Sequence, residues 1–149
     1  MQYFKKELYI NHSHDDEWIQ NMNEYKRVLK SMENRFSKKV FKFILSKSFH
    51  DSEILSIELK HQNKGKYPLE VIIKVCDGEQ MWKITYKKIT RVSLNIPTTD
   101  GVSHFGLWGY NEFLPVDDEV ISHEIMMIPQ CDTIKIEFKN KNIYIEKIT

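Results

Sequence analysis

The chain has little of what punctuates or staples a fold. Five glycines and four prolines in 149 residues leave no collagen-like, linker-like or low-complexity segment. Two cysteines, Cys76 and Cys131, are too few for a disulfide framework. Both sit at the edges of apolar runs and read as buried free thiols of a reducing compartment. No apolar run approaches the roughly 18 residues of a membrane span, and the opening Met1–Glu7 lacks the apolar stretch of a secretion signal. A dominant charge is missing too. The net charge is +1 and no basic run is interleaved with aromatics, which speaks against a nucleic-acid partner. These absences point to a cytoplasmic, non-membrane protein. A chain of this length suffices for one domain, residues 1–149, burying roughly 70% of the surface its unfolded form exposes.

The near-zero charge hides an asymmetry. Residues 1–98 hold 18 Lys/Arg against 12 Asp/Glu, whereas residues 99–149 hold 4 against 9, so the last third offers an acidic surface to a partner. The hydrophobic pattern also changes along the chain. From Trp18, the residues Met22, Tyr25, Leu29, Met32 and Phe36 recur at steps of four and three, one apolar stripe of an amphipathic helix. Ser13 followed by three acids suits its N-terminus. An unbroken helix through Ser46 would run roughly 48 Å at about 1.5 Å per residue, too long for a domain whose radius of gyration is about 15 Å. A break at Asn34–Ser37 is therefore expected, with Ser37 capping a second helix to Ser46. A coiled-coil seam is the rival reading of the stripe, but Trp and Tyr fit a heptad core poorly.

At Phe49–Leu59 the pattern turns to alternation, with Leu55, Ile57 and Leu59 on one face. Residues 1–48 thus form a helical part and 49–149 a β part. Asp77-Gly78 predicts a two-residue hairpin facing Ile73 with Trp82, Val71 with Ile84, and Leu69 with Tyr86. The run Met81–Ile96 should bend at Lys88-Ile89. Strands Val120–Ile128 and Thr133–Lys139 should flank a turn at Pro129-Asp132, and a last hairpin at Asn140-Lys141 should face Phe138 with Ile143 and Ile136 with Ile145. The expected fold is α+β: two helices packed on a largely antiparallel sheet of five to seven strands. Pro97–Glu119, with three glycines and four aromatics, reads as a long functional loop.

Several segments carry a resemblance. They are Tyr3–Tyr9 (Y-F-x-K-E-L-Y), Phe49–Ile54 (F-H-D-S-E-I), Trp108–Glu112, His123–Ile125 (H-E-I) and Ile136–Lys139 (I-x-F-K). Together they resemble a family of uncharacterised small bacterial proteins, a domain-of-unknown-function group mostly from Gram-positive bacteria. That resemblance implies no activity. By size and architecture the chain is also similar to immunity proteins, which neutralise toxins by binding them.

Two constellations could carry chemistry. His12-x-His14-Asp15-Asp16 has metal-ligand residue types, but it also reads as a solvated helix start. His50 and Asp51 could bind metal, or the Asp could orient the His as a base. With His123 and Glu124 they form the alternative reading, a metal-dependent hydrolase. No nucleophile elbow, phosphate-binding glycine pattern or Cys-x-x-Cys is present. The expectation adopted is a non-catalytic protein-binding module, of the immunity kind, with no cofactor. Its interface would be Phe105, Trp108 and Tyr110, with Trp108 partly exposed, ringed by Asp117, Asp118 and Glu119.

Overall fold

The computed structural model describes residues 1–10, 15–62, 65–96 and 105–148. Its elements are α1 (Lys6–Ile10), α2 (Asp15–Ser31), a 3-10 turn (Glu33–Arg35) and α3 (Lys38–Ser46). Eight strands follow: β1 (Glu53–His61), β2 (Leu69–Asp77), β3 (Gln80–Tyr86), β4 (Ile89–Asn95), β5 (Leu107–Pro115), β6 (Val120–Ile128), β7 (Thr133–Lys139) and β8 (Ile143–Ile148). The fold is α+β with an antiparallel sheet, of eight strands rather than five to seven, and three helices rather than two. The N-cap expected at Ser13 and the residues His12 and His14 lie outside the described residues, as does most of the segment between β4 and β5. Among the described residues, no helix is long and apolar enough to cross a membrane.

The helical stripe breaks where expected. Phe36 adopts an extended conformation after the 3-10 turn, and the Ser37 hydroxyl then accepts the Val40 N–H at 3.3 Å. Reversing the chain here puts Tyr25, Leu29, Met32, Phe36 and Val40 into one buried cluster with the sheet. The third helix, α1, is the opening aromatic segment, coiled into a single turn that buries Leu8.

Two register expectations need correction. The β2–β3 hairpin forms, but its central residues are Gly78 and Glu79, with positive φ (64°) at Gly78 alone, the pattern of a type II′ turn. The pairs are therefore Val71–Tyr86, Ile73–Ile84 and Val75–Trp82. The slip of two residues keeps every side chain on its face, so hydrophobic alternation could not have revealed it. In β1 a bulge between Ile54 and Ser56 turns Ile54 inward at 4% exposure, while Leu55 stands out at 39%.

The last hairpin does not exist. Strands β7 and β8 run on in one direction through a bend at Asn140–Asn142, as β3 and β4 do through Lys87-Lys88. The two bent strands pair along their whole length, from Met81–Ile148 to Tyr86–Ile143 and then from Ile89–Phe138 to Asn95–Thr133. Lys88 and Lys141 absorb the bend with φ of 47° and 64°, and backbone bonds Lys87 N–H to Asn142 O and Lys139 N–H to Lys88 O hold it. Strands that change direction this way carry one sheet around a corner. With β1–β2 on one side of the corner and β6–β5 on the other, the sheet curls until β1 meets β5. They join at a single register pair, Glu53–Leu107, next to the bonds Asp51 N–H to Trp108 O and Trp108 N–H to Ser52 O (2.8 and 2.9 Å). Beyond this joint the strands part. Helix α2 lies against β5 there, and the Tyr25 hydroxyl accepts the Phe113 N–H at 2.9 Å, satisfying a donor that the sheet leaves unpaired.

Candidate functional site

The curl and the helices enclose a cavity of about 270 Å³. Leu29, Ile84 and Ile143 supply aliphatic wall, and Phe49, Trp108 and Phe113 supply aromatic wall. All six are buried. Lys47, Ser48 and His50, between α3 and β1, also line it and reach solvent, so they mark its mouth. An apolar concavity with few polar groups is the usual make-up of a small-molecule site.

Away from the mouth, the polar side chains of the wall are Tyr25, Tyr110, Asn111 and His123, of which His123 is the most deeply buried. His123 projects from β6, is 2% exposed, and stacks face to face on its cross-strand partner Phe113 with centroids 3.8 Å apart. Its Nδ1 lies 2.8 Å from the hydroxyl of Tyr86, itself fully buried on β3. Its Nε2 is buried with no hydrogen-bond partner among the described residues. Desolvation holds the His123 pKa down to about 3, so the ring is neutral at physiological pH. The same burial pushes the Tyr86 hydroxyl above its ordinary range.

Trp108 also belongs to this wall, which overturns its expected exposure. The indole is 1% exposed, tilts against Phe49 (5.2 Å between centroids), and donates Nε1–H to Asn111 Oδ1 at 3.0 Å. The segment around it is a strand, and its glycines serve that strand. A Cβ on Gly109 would fall 2.5 Å from Ile128 Cγ2 and 2.8 Å from the Met126 carbonyl, so only glycine lets β5 lie this close to β6. Tyr110 is half-buried, against Phe4 and His50 (5.6 and 4.8 Å), and Phe105 is half-buried against the core. Asp117, Asp118 and Glu119 are exposed, in the turn between β5 and β6. That turn is largely self-contained. The Asp117 carboxylate accepts the N–H groups of Glu119 and Val120, which lower its pKa; Glu119 pairs with Lys139, and Arg35 donates to the carbonyls of Asp117 and Val120.

Of the four residues of the hydrolase alternative, His50 and Asp51 stay together, with Nε2 3.6 Å from Oδ1, and the other two are engaged elsewhere. His50 Nδ1 donates to the Gly109 carbonyl at 2.6 Å, and its Nε2 faces the largely exposed carboxylate of Asp51. His123 and Glu124 are consecutive on β6 and so face opposite ways. Glu124 meets the amine of Met1 at 2.6 Å on the far face. Among the described residues, no group of three or more His, Cys, Asp or Glu is placed to hold a metal.

The far face has its own anchor. Glu112, cross-strand partner of Glu124, is 1% exposed and accepts the N–H groups of Gln2, Tyr3 and Phe4 at 2.5–2.7 Å. These bonds seat Phe4 against Trp18 and Tyr25 and so close one end of the cavity. Glu112→Ala should lower stability by about 1.5–3 kcal/mol, the scale for lost bonds to a charged acceptor. Amide protection should vanish first at residues 2–4. Hydrogen exchange with unchanged protection there would show that Glu112 does not hold this segment.

No protein-family model matches the chain, and no curated protein is similar enough to it to lend a function.

Proposed function

We propose that this protein is a non-catalytic binding module that holds a small apolar molecule between its helices and its curled sheet. The observation that carries this reading is the cavity itself: about 270 Å³, walled by buried aromatic and aliphatic side chains. The groups that would do acid–base work are poorly placed for it. His123 is buried and held neutral, and His50 already spends one ring nitrogen on a backbone carbonyl. A protein partner, of the immunity kind or another, is the second reading. It is favoured by the turn after β5, where Val116 stands 49% exposed beside three carboxylates.

Naphthalene, a rigid uncharged probe, tests the first reading. At tenfold over its Kd it should stabilise the protein by about 1.4 kcal/mol and raise Tm by about 3–6 °C. Ile44→Trp, which puts an indole into the cavity, should abolish the shift. No saturable shift in the parent protein, or the same shift in Ile44→Trp, would sink the proposal.

A further inference from the structure

Two exposed patches of opposite sign lie side by side near the bend before β8. The first is the outer face of α3, where Lys38, Lys42 and Leu45 follow one another at steps of four and three. All three are exposed, Leu45 at 53%. With Lys141, from the bend, they line a groove of about 720 Å³ that the buried Phe36 and Phe41 line as well. Lys38, Lys42 and Lys141 have no ion pair among the described residues. The dipole of α3 gives no support either, since its first turn holds Lys38 and Lys39 and no acid. The second patch is the turn between β5 and β6. Val116 stands 49% exposed there, followed by the exposed Asp117, Asp118 and Glu119. Asp117 is bonded within the turn and Glu119 to Lys139, but the Asp118 carboxylate has no partner among the described residues. Hydrogen bonds splice the two patches together. The Lys141 N–H donates to the Arg35 carbonyl, Arg35 donates to the Asp117 carbonyl, and Asn140 donates to the Asp118 carbonyl.

We infer that this surface is self-complementary, and that two copies of the chain associate across it about a two-fold axis, each laying its Val116–Glu119 turn in the lysine-lined groove of the other. This rests on the protein-partner reading and names the partner. Charge complementarity is the first reason. Three lysines without counter-ions match a turn that carries three carboxylates. The exposed apolar residue beside each set, Leu45 and Val116, gives the contact a centre from which water is excluded. Symmetry is the second reason. Because the patches adjoin, the two-fold that brings one groove to one turn brings the other groove to the other turn. The contact is made twice and closes on itself, as an isologous interface does. The same adjacency disfavours a polyanion. A nucleic acid or an anionic lipid surface that reached the lysines would also meet the carboxylates, and like charges repel.

The test is a charge swap read by sedimentation of the full chain. At low ionic strength the parent should show a monomer–dimer equilibrium that added salt moves toward monomer. Lys38→Glu/Lys42→Glu and, separately, Asp118→Lys should each raise the dissociation constant tenfold or more, because each reversal acts twice in the dimer. All three positions are exposed, so the melting curves of both variants should match the parent's. Mixing the two variants in equal amounts should restore the dimer. In the mixed pair each reversed patch meets the other reversed patch, and each native patch meets a native one. Leu45→Ser, which leaves every charge in place, should also weaken the dimer. A parent that stays monomeric at low salt up to about 1 mM would overturn the inference and leave the turn to a different protein. Variants that remain apart on mixing would overturn it too. A dimer that neither reversal weakens would overturn this surface while keeping association with a second chain.

Discussion

Trp108→Ala should destabilise the protein by about 3–5 kcal/mol, the range for truncating a large aromatic side chain in a well-packed core. The indole is 1% exposed and touches both halves of the curled sheet. Its ring meets Phe49, before β1, and His123, on β6, while its backbone makes two of the bonds that join the β1 turn to β5. Truncation removes the ring contacts, leaves Asn111 Oδ1 without its donor, and enlarges a cavity that is already present. Relaxation cannot close the gap cheaply, because Gly109 already sits against Ile128 with no room to move inward. Chemical denaturation of the variant measures the loss. A midpoint within experimental error of the parent would mean that the indole is not packed as described, and would return it to the list of surface anchors.

The residues on either side of Trp108 show what sequence could and could not reveal. Periodicity located α2, the break within Asn34–Ser37 and, to the residue, strands β6 and β7, because each rests on local chemistry: a stripe, a cap, a turn. The same periodicity could not choose partners. The alternation of β8 fits a hairpin with β7 as well as it fits β3, and only the bend at Lys88 and Lys141 decides for β3. Glycine misled for a related reason. Gly106 and Gly109 resemble the punctuation of a loop, whereas Gly109 is needed for strand-to-strand approach, a property of the neighbour Ile128 and not of the glycine. The candidate site was partly legible. His50 and His123 were singled out and do line one cavity, but Asp51 and Glu124, chosen for adjacency, lie outside it. Tyr86, Phe49 and Phe113, which shape the site with His123, carried no signal beyond being aromatic residues in or beside apolar strands.

Acid should expose the buried histidine as a stability term. The pKa of His123 is depressed in the folded state, to about 3 from an ordinary 6.5, because burial disfavours the imidazolium. As pH falls below 6.5 the unfolded chain takes up this proton and the folded chain does not, so the unfolded state gains. The contribution is fully present above pH 6.5 and is lost toward pH 3, at up to about 1.4 kcal/mol per pH unit. Between pH 6.5 and 5 the loss should approach about 2 kcal/mol, and near pH 4 about 3 kcal/mol. The upper window isolates the histidine best. Asp117, Glu119, Glu58 and Glu146 have pKa values lowered by their hydrogen bonds, and they add their own losses only in more acid solution. Urea midpoints of the parent and of Tyr86→Phe/His123→Phe, taken across pH 7 to 5, provide the check. The parent should weaken steadily and the double variant should stay nearly flat. The same slope in both would mean that another group titrates, and that His123 is not a buried neutral ring.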